Sequence, residues 1–284
     1  MKKRKLSTPM ICPVCAKSFS PIHVFHFSTY DIFTCNYCEA RFSEPLTYDN
    51  ESIFSAEYLK KENSAWRDNV RIPPQELKPY LSLKNKNILD IGCATGDFLN
   101  SFKEDNQVMG LEISKAFEPL LKEREIPHKI GDLVTNLTSL PNSSFNLITL
   151  WDVFEHLEDP VSILKLIKTK LAPKGIIVIW TSNYDDWISR FAEITYRGTF
   201  GRLKAFMERS FHRSGGHNFN FTPKSLDILY QTLGLKVLDT IIADIPSHRF
   251  TRNIPYRIVI DIFHLLNKLS KKGKSVCHAL TIET

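Results

Sequence analysis

Apolar residues along this chain fall into short dense runs, and between Asn87 and Trp180 those runs alternate with segments of helical spacing. The first run closes on Asp90. Small residues at Gly92, Ala94 and Gly96 then form a bend, and Asp97 opens a helix. Further strands are predicted at Gln107 to Leu111, His128 to Ile130, Phe145 to Trp151 and Gly175 to Trp180. Ser114 can cap a helix running to about Glu125, where Pro127 ends it, and a second helix is predicted over Val161 to Leu171. Strands and helices alternating in this way require a parallel sheet with helices on both faces, and ligands gather at the carboxyl ends of its strands.

The bend after the first strand lets backbone approach a ligand that side chains would exclude. Glu112 ends the second strand 22 residues after Asp90, where an acid in such folds contacts ribose hydroxyls. The bend departs from the G-x-G-x-x-G spacing for pyrophosphate, and the chain has no G-x-x-x-x-G-K-[ST] triphosphate loop.

The stretches ILDIGCATGDFL, LEIS, IGDL, FNLITLWDVFEHLEDP and LAPKGIIVI, in order between about residues 86 and 181, resemble the successive motifs of class I S-adenosylmethionine-dependent methyltransferases. The resemblance implies a Rossmann-like α/β sheet. It puts Asp90, Gly92 and Gly96 around the methionine end of the cofactor, with Cys93 and Ala94 in the same turn. It further implies Glu112 on the ribose, Ile113 on the adenine face, Asp132 and the backbone of Leu133 at the adenine amino group, and Trp151 in the cofactor set. Asp132 can equally cap a helix.

Asp152, Glu155 and His156 directly follow the fourth strand, where a hydroxyl acceptor would need a base. The run DVFEHL resembles the segment of ubiquinone-pathway O-methyltransferases in which two acids and a His can hold a divalent cation, with Asp152 in place of the first Glu. The same residues can also be a helix start with its acids at the positive end. Downstream, His217 precedes FNFTPKSL, where Thr222 caps, Pro223 starts and Gly234 ends a helix. That segment resembles methyltransferases of bacterial surface-glycan and secondary-metabolite pathways, which also carry an amino-terminal CxxC ribbon and a leading helix like SAEYLKK. This widens the resemblance to residues 12–243 and implies that His217 points toward the acceptor.

Four of the six cysteines, Cys12, Cys15, Cys35 and Cys38, form C-x2-C pairs separated by 19 residues, the spacing of a structural Zn2+ site. Two disulfides are the alternative, disfavoured in a reducing compartment. His23 and His26 are spare ligands in principle. Cys93 and Cys277 have no visible base partner.

These readings divide the chain into a zinc ribbon (1–46), a helical connector or lid (47–86), a cofactor domain (87–245) with an acceptor-site insertion at about 182–216, and a basic helical tail (246–284). Phe54, Tyr58, Leu59 and Trp66 give the connector its apolar face, and Pro73 and Pro74 break it. In the insertion, Trp187, Arg190, Arg202 and Arg209 could receive an anionic or aromatic group. In the tail, an apolar face followed by Lys268, Lys271, Lys272 and Lys274 suits either docking on the domain or peripheral contact with an anionic membrane.

A net charge of +6 is too small to indicate nucleic acid, and no run suits a signal peptide or membrane span, so a cytoplasmic location is expected. The leading reading is methyl transfer to a small-molecule acceptor, a sugar, glycan or related metabolite. A second is an RNA methyltransferase gripping nucleic acid through the ribbon, although only Lys17 and Arg41 lie near its knuckles. A third is a non-catalytic scaffold that keeps the fold.

Overall fold

The computed structural model describes residues 9–21, 24–46, 75–211, 216–244, 246–247 and 254–283. His23 and the connector from 47 to 74, with Phe54, Tyr58, Leu59, Trp66, Pro73 and Pro74, lie outside the described residues. The connector's last part is a 3-10 turn at Gln75–Leu77 followed by the short helix α1 (Lys78–Leu81).

The amino-terminal module has a two-stranded hairpin and a three-stranded meander. Strands β1 (Met10–Ile11) and β2 (Ser18–Phe19) pair antiparallel, as do β3 (Val24–His26), β4 (Asp31–Thr34) and β5 (Arg41–Glu44) in order. Each C-x2-C lies in a turn between strands and closes the same way. Ala16 N donates to the Cys12 carbonyl at 2.9 Å, and Glu39 N to the Cys35 carbonyl at 3.0 Å. Ala16 and Glu39 both take positive φ, 56° and 66°, which tightens each knuckle.

The central domain follows the predicted alternation. It runs β6 (Asn87–Ile91), α2 (Asp97–Asn100), β7 (Gln107–Glu112), a 3-10 turn and α3 (Glu118–Glu123), β8 (His128–Ile130), α4 (Leu133–Ser139), β9 (Phe145–Trp151), α5 (Pro160–Lys170) and β10 (Leu171–Ser182). Then come α6 (Trp187–Gly198), α7 (Lys204–Phe211), β11 (Phe219–Asn220), α8 (Pro223–Thr232), β12 (Leu235–Ala243), α9 (Ile254–Leu269) and β13 (Ser275–Ile282). Helix α8 starts at a reciprocal cap: Thr222 Oγ1 accepts from Ser225 N at 3.2 Å, and Ser225 Oγ accepts from Thr222 N at 2.8 Å. Such a cap contributes about 1 kcal/mol.

Seven strands form one sheet in the order β12-β13-β10-β9-β6-β7-β8, and the pairings from β10 to β8 are all parallel. The chain moves outward from β6 to β8, then returns to the far side of β6 as β9. That reversal between β6 and β9 leaves a crevice at their carboxyl ends, where ligands of such sheets sit. On one face of the sheet Leu89, Ile148, Leu164, Ile177 and Leu229 are fully buried, and on the other Ile88, Leu147, Val178 and Cys277. Each such aliphatic side chain contributes roughly 1.5–3 kcal/mol through removal from water.

The structure corrects two boundaries. The segment 246–284 is not wholly a helical tail. After α9, residues Ser275–Ile282 form β13, an inner strand antiparallel to both β10 and β12 that completes the sheet. Cys277, expected in the tail, is therefore fully buried opposite Trp180 and Ile241. Nor does the ribbon stop at residue 46. β11, from the far end of the chain, adds to its sheet as a fourth strand, with Phe219 opposite Phe42. Phe25, Phe27, Tyr30 and Ile32 of the ribbon share a core with Tyr184, Ala192, Met207 and Phe211 of the insertion. Arg41 joins the two, with Nη2 2.7 Å from Glu193 Oε2 and its guanidinium 3.8 Å over the Tyr184 ring.

Candidate functional site

The bend after β6 is shaped from behind. Gly92 has φ +72°, and a Cβ there would stand 2.3 Å from Val153 Cγ2. Gly96 has φ +73°, and its Cβ would meet Ile126 Cδ1 at 2.5 Å. Ala94 takes φ +45° in spite of its methyl group. The bend's amides are used internally. Gly92 N and Cys93 N donate to the Leu111 carbonyl (2.8 and 3.1 Å), Gly96 N to the Cys93 carbonyl (2.7 Å), and Ala94 N to Glu112 Oε2 (2.8 Å). Cys93 is buried against Gly110, and burial pushes its thiol far above the ordinary range, which leaves it unreactive.

Two carboxylates sit in this dry region. Asp90 is 1% exposed and accepts from Thr149 Oγ1 at 2.6 Å, a bond that spans the sheet's reversal from β9 to β6. Burial pushes its pKa up to about 7; the Thr149 bond opposes that rise and the neighbouring Glu112 adds to it. Glu112 is also raised by burial, against the pull of the amides it accepts, Ala94 N and, through Oε1, Ser114 N at 2.9 Å. A carboxylate has about four lone-pair sites, so Glu112 retains acceptor capacity for a ligand's hydroxyls. Beside it, Ile113 presents an apolar side chain to solvent.

Asp132 lies at the start of α4, where its Oδ1 accepts from Thr135 N at 2.8 Å and Thr135 Oγ1 at 2.6 Å. It is a helix cap, and these bonds lower its pKa. Leu133 follows, half-buried. Trp151 is buried with its ring 5.3 Å from Phe98 and 6.3 Å from Trp180, and its Nε1 has no hydrogen-bond partner among the described residues.

The stretch after β9 is a single 3-10 turn, Phe154–His156, not an α-helix start. Within it Glu155 is 1% exposed; its Oε2 accepts from Thr181 Oγ1 at 2.7 Å and its Oε1 from Ser182 N at 3.2 Å, tying it to the carboxyl end of β10. Asn218 N donates to the Glu155 carbonyl at 2.9 Å, and Asn218 Nδ2 to the His156 carbonyl at 3.0 Å. This clamp brings the His217 ring 4.7 Å from that of His156, edge to face at 83°. Glu155, His156 and His217 thus offer ligand atoms within 4.8 Å of one another. Asp152, at φ +52°, is outside that group, so the metal-capable set differs from the Asp152, Glu155, His156 pattern read in the sequence. Burial lowers the His156 pKa and Glu155 opposes this in part, so the imidazole is neutral at pH 7.

Thr149, Val153, Thr181 and Asn218 escaped the sequence reading. Only their positions at strand ends or beside a candidate His could have marked them. Of the insertion residues, Trp187 donates from Nε1 to Ser270 Oγ at 2.9 Å and so holds α9, and Arg190 pairs with Asp185 at 2.8 Å. Arg202 is exposed after α6, and the Arg209 side chain lies outside what is described.

In the ribbon, Cys12 Sγ stands 3.6 Å from Cys38 Sγ and Cys15 Sγ 3.8 Å from Cys35 Sγ, with all four within 4.8 Å. These separations are far beyond a disulfide bond of about 2.05 Å. They match the roughly 3.8 Å edges of a tetrahedron with metal–sulfur bonds of about 2.3 Å. His26 instead bonds Asp31 at 2.9 Å and is not part of the cluster.

Comparison with known proteins agrees with this geometry. A family model described as a methyltransferase domain matches residues 58–240. A ubiquinone biosynthesis O-methyltransferase of Actinobacillus pleuropneumoniae is 30% identical over 113 residues, 36% of this chain and 47% of that protein. A tRNA U34 carboxymethyltransferase of Aliarcobacter butzleri is 27% identical over 166 residues, 52% of this chain and 53% of that protein. The chain spans about half the length of the curated relatives it matches. A SAM-dependent methyltransferase structure from Archaeoglobus fulgidus superposes with a TM-score of 0.52 at 18% identity, covering 79% of this chain and 97% of that one. With the family model spanning well over half its length, the chain belongs to the methyltransferase-domain family and has the fold of the class I S-adenosylmethionine-dependent enzymes.

Proposed function

We propose that this protein methylates a small-molecule acceptor, a sugar, glycan or related metabolite, with S-adenosylmethionine as donor. One observation carries the reading: Asp90 and Glu112, two nearly dry carboxylates near the carboxyl ends of the adjacent strands β6 and β7, stand beside the reversal of the sheet. Their residual acceptor capacity, the solvent-facing Ile113 and Trp151 Nε1, which has no hydrogen-bond partner among the described residues, fit an adenosyl group bearing ribose hydroxyls. The cofactor would supply an electrophilic methyl group on a sulfonium. Glu112 would accept from the ribose, and the bend at Gly92 to Gly96, with Cys93 and Ala94, would shape the methionine end. Ile113 would cover the adenine, while Asp132 and Leu133 line its edge. Phe98 and Trp151 keep water out of the floor.

On the acceptor side, the more accessible His217 would take the proton of an acceptor hydroxyl, with neutral His156 packed against its edge. Glu155 and Asp152 would set the position of that pair. The four ribbon cysteines would hold a structural Zn2+, and reduced thiols of this kind suit the cytoplasm.

Calorimetric titration of folded, zinc-loaded protein with S-adenosylmethionine and with its demethylated product tests the reading. Micromolar binding is expected, and no affinity for either overturns it in favour of a non-catalytic scaffold. Atomic absorption should find one zinc per chain. RNA as acceptor is a second reading, favoured by the name of the Aliarcobacter relative. Against it, among the described residues of the ribbon Arg41 is committed to Glu193 and Tyr184, and Lys17 lies 5.2 Å over Tyr37. Salt-sensitive binding of tRNA would revive it.

A further inference from the structure

Helix α9 is attached by its polar side. Asn267 is fully buried; its Oδ1 accepts from Trp187 N at 2.9 Å and its Nδ2 donates to Asp244 Oδ1 at 2.9 Å. The Phe263 ring stands 5.5 Å from Phe191 on α6. The opposite side carries Ile254, Ile258, Val259, Ile262, Leu265 and Leu269, each between 50% and 75% exposed. At about 100° per residue these six fall within an arc of roughly 140°. The ordinary amphipathic arrangement, apolar side on the core, is reversed here. Ile194 of the adjoining α6 is also exposed, as are Phe200 and Leu203 after it. An exposed apolar helix face of this kind marks an interaction surface.

The charges beside it select the occupant. Lys268 on α9, Lys271 just after it, Arg202 between α6 and α7, and Lys204 at the start of α7 are all exposed. Of the acids nearby, Asp185 pairs with Arg190 and Lys272, and Glu193 with Arg41 and Arg197, while the exposed Asp261 of α9 stands 4.0 Å from His264 Nδ1. A second copy meeting this face across a two-fold axis would bring like charges together. An anionic bilayer surface satisfies both features, taking the apolar arc into its acyl boundary and the lysines and arginines among its headgroups. No helix among the described residues is long and apolar enough to cross a membrane.

We infer that α9, with the adjoining end of α6, docks this protein peripherally on an anionic lipid surface.

The test is vesicle co-sedimentation of the full chain, with phosphatidylglycerol–phosphatidylcholine and pure phosphatidylcholine vesicles, at low and high salt. Binding is expected to the anionic vesicles and to weaken with salt. Ile262→Glu combined with Leu265→Glu should weaken it about tenfold or more, and Lys268→Glu with Lys271→Glu should do the same. All four positions face solvent, so unchanged melting temperature and near-ultraviolet circular dichroism would show that the fold persists. Absence of vesicle binding overturns the inference. So does retention of binding by the Ile262→Glu, Leu265→Glu variant, since charge alone would then hold the protein. Dimerisation in analytical ultracentrifugation that this variant abolishes, without vesicle binding, would assign the face to a second copy instead.

Discussion

The imidazoles of His156 and His217 meet edge to face at 4.7 Å, although one follows β9 and the other precedes β11. Asn218 makes the meeting possible by bonding the main chain of both Glu155 and His156. If this pair handles the acceptor proton, His217→Ala should lower kcat by about 100-fold or more while leaving cofactor affinity unchanged. Because burial lowers the His156 pKa, its imidazole should titrate below the usual value of 6.5 when its ring protons are followed by NMR. Equal kcat in wild type and His217→Ala would remove the pair from the mechanism.

Asp90 should make stability depend on pH in a direction opposite to most carboxylates. Its folded pKa, about 7, lies above the ordinary value of 3.8, so the unfolded chain releases this proton first. The stability it contributes is complete below pH 3.8 and is lost as pH rises toward 7. Asp90→Asn should therefore match wild type near pH 4 and gain on it up to pH 7, by at most about 4 kcal/mol. Denaturant titrations at stepped pH check this, and a difference that stays flat with pH would contradict it. The same variant should bind S-adenosylmethionine more weakly.

Gly92 is required by Val153. Gly92→Ala adds a methyl group into Val153 Cγ2 and places an L-residue at positive φ, which should cost about 3 kcal/mol. Val153→Ala in the same chain should restore part of that loss, while the backbone contribution of about 1–2 kcal/mol remains. Thermal melts of both single variants and the double variant measure the coupling.

Arg41 fastens the ribbon to the insertion. Arg41→Ala removes a partly buried ion pair to Glu193 and a cation–π contact to Tyr184, and should destabilise the chain by roughly 1–3 kcal/mol. Hydrogen exchange should quicken in α6 as well as in β5. Faster exchange confined to the ribbon would mean that the two parts are energetically separate.

Much of the architecture could be read from local pattern. Strands β8 and β9 match the predicted bounds, and the helix from Pro223 is capped by Thr222 as expected, because periodicity and capping are encoded within a few residues. The four-cysteine cluster was legible for the same reason: its spacing is a statement about two tight turns. β13 was not. It is covered by strands on both sides and packed on both faces, so it reads as a brief apolar run behind a lysine-rich linker and shows no alternation.

What the chain determines by itself is therefore its succession of strands, bends and helices, along with the two tight turns that gather the four cysteines. Tertiary structure decided the relations between distant segments: that His217 faces His156, that β11 completes the ribbon, and that α9 turns its apolar side outward. The physical reason is range. Periodicity, caps and turns act over one or two turns of chain, whereas these contacts depend on how whole elements pack, and no local pattern records which face of a helix its neighbours will cover.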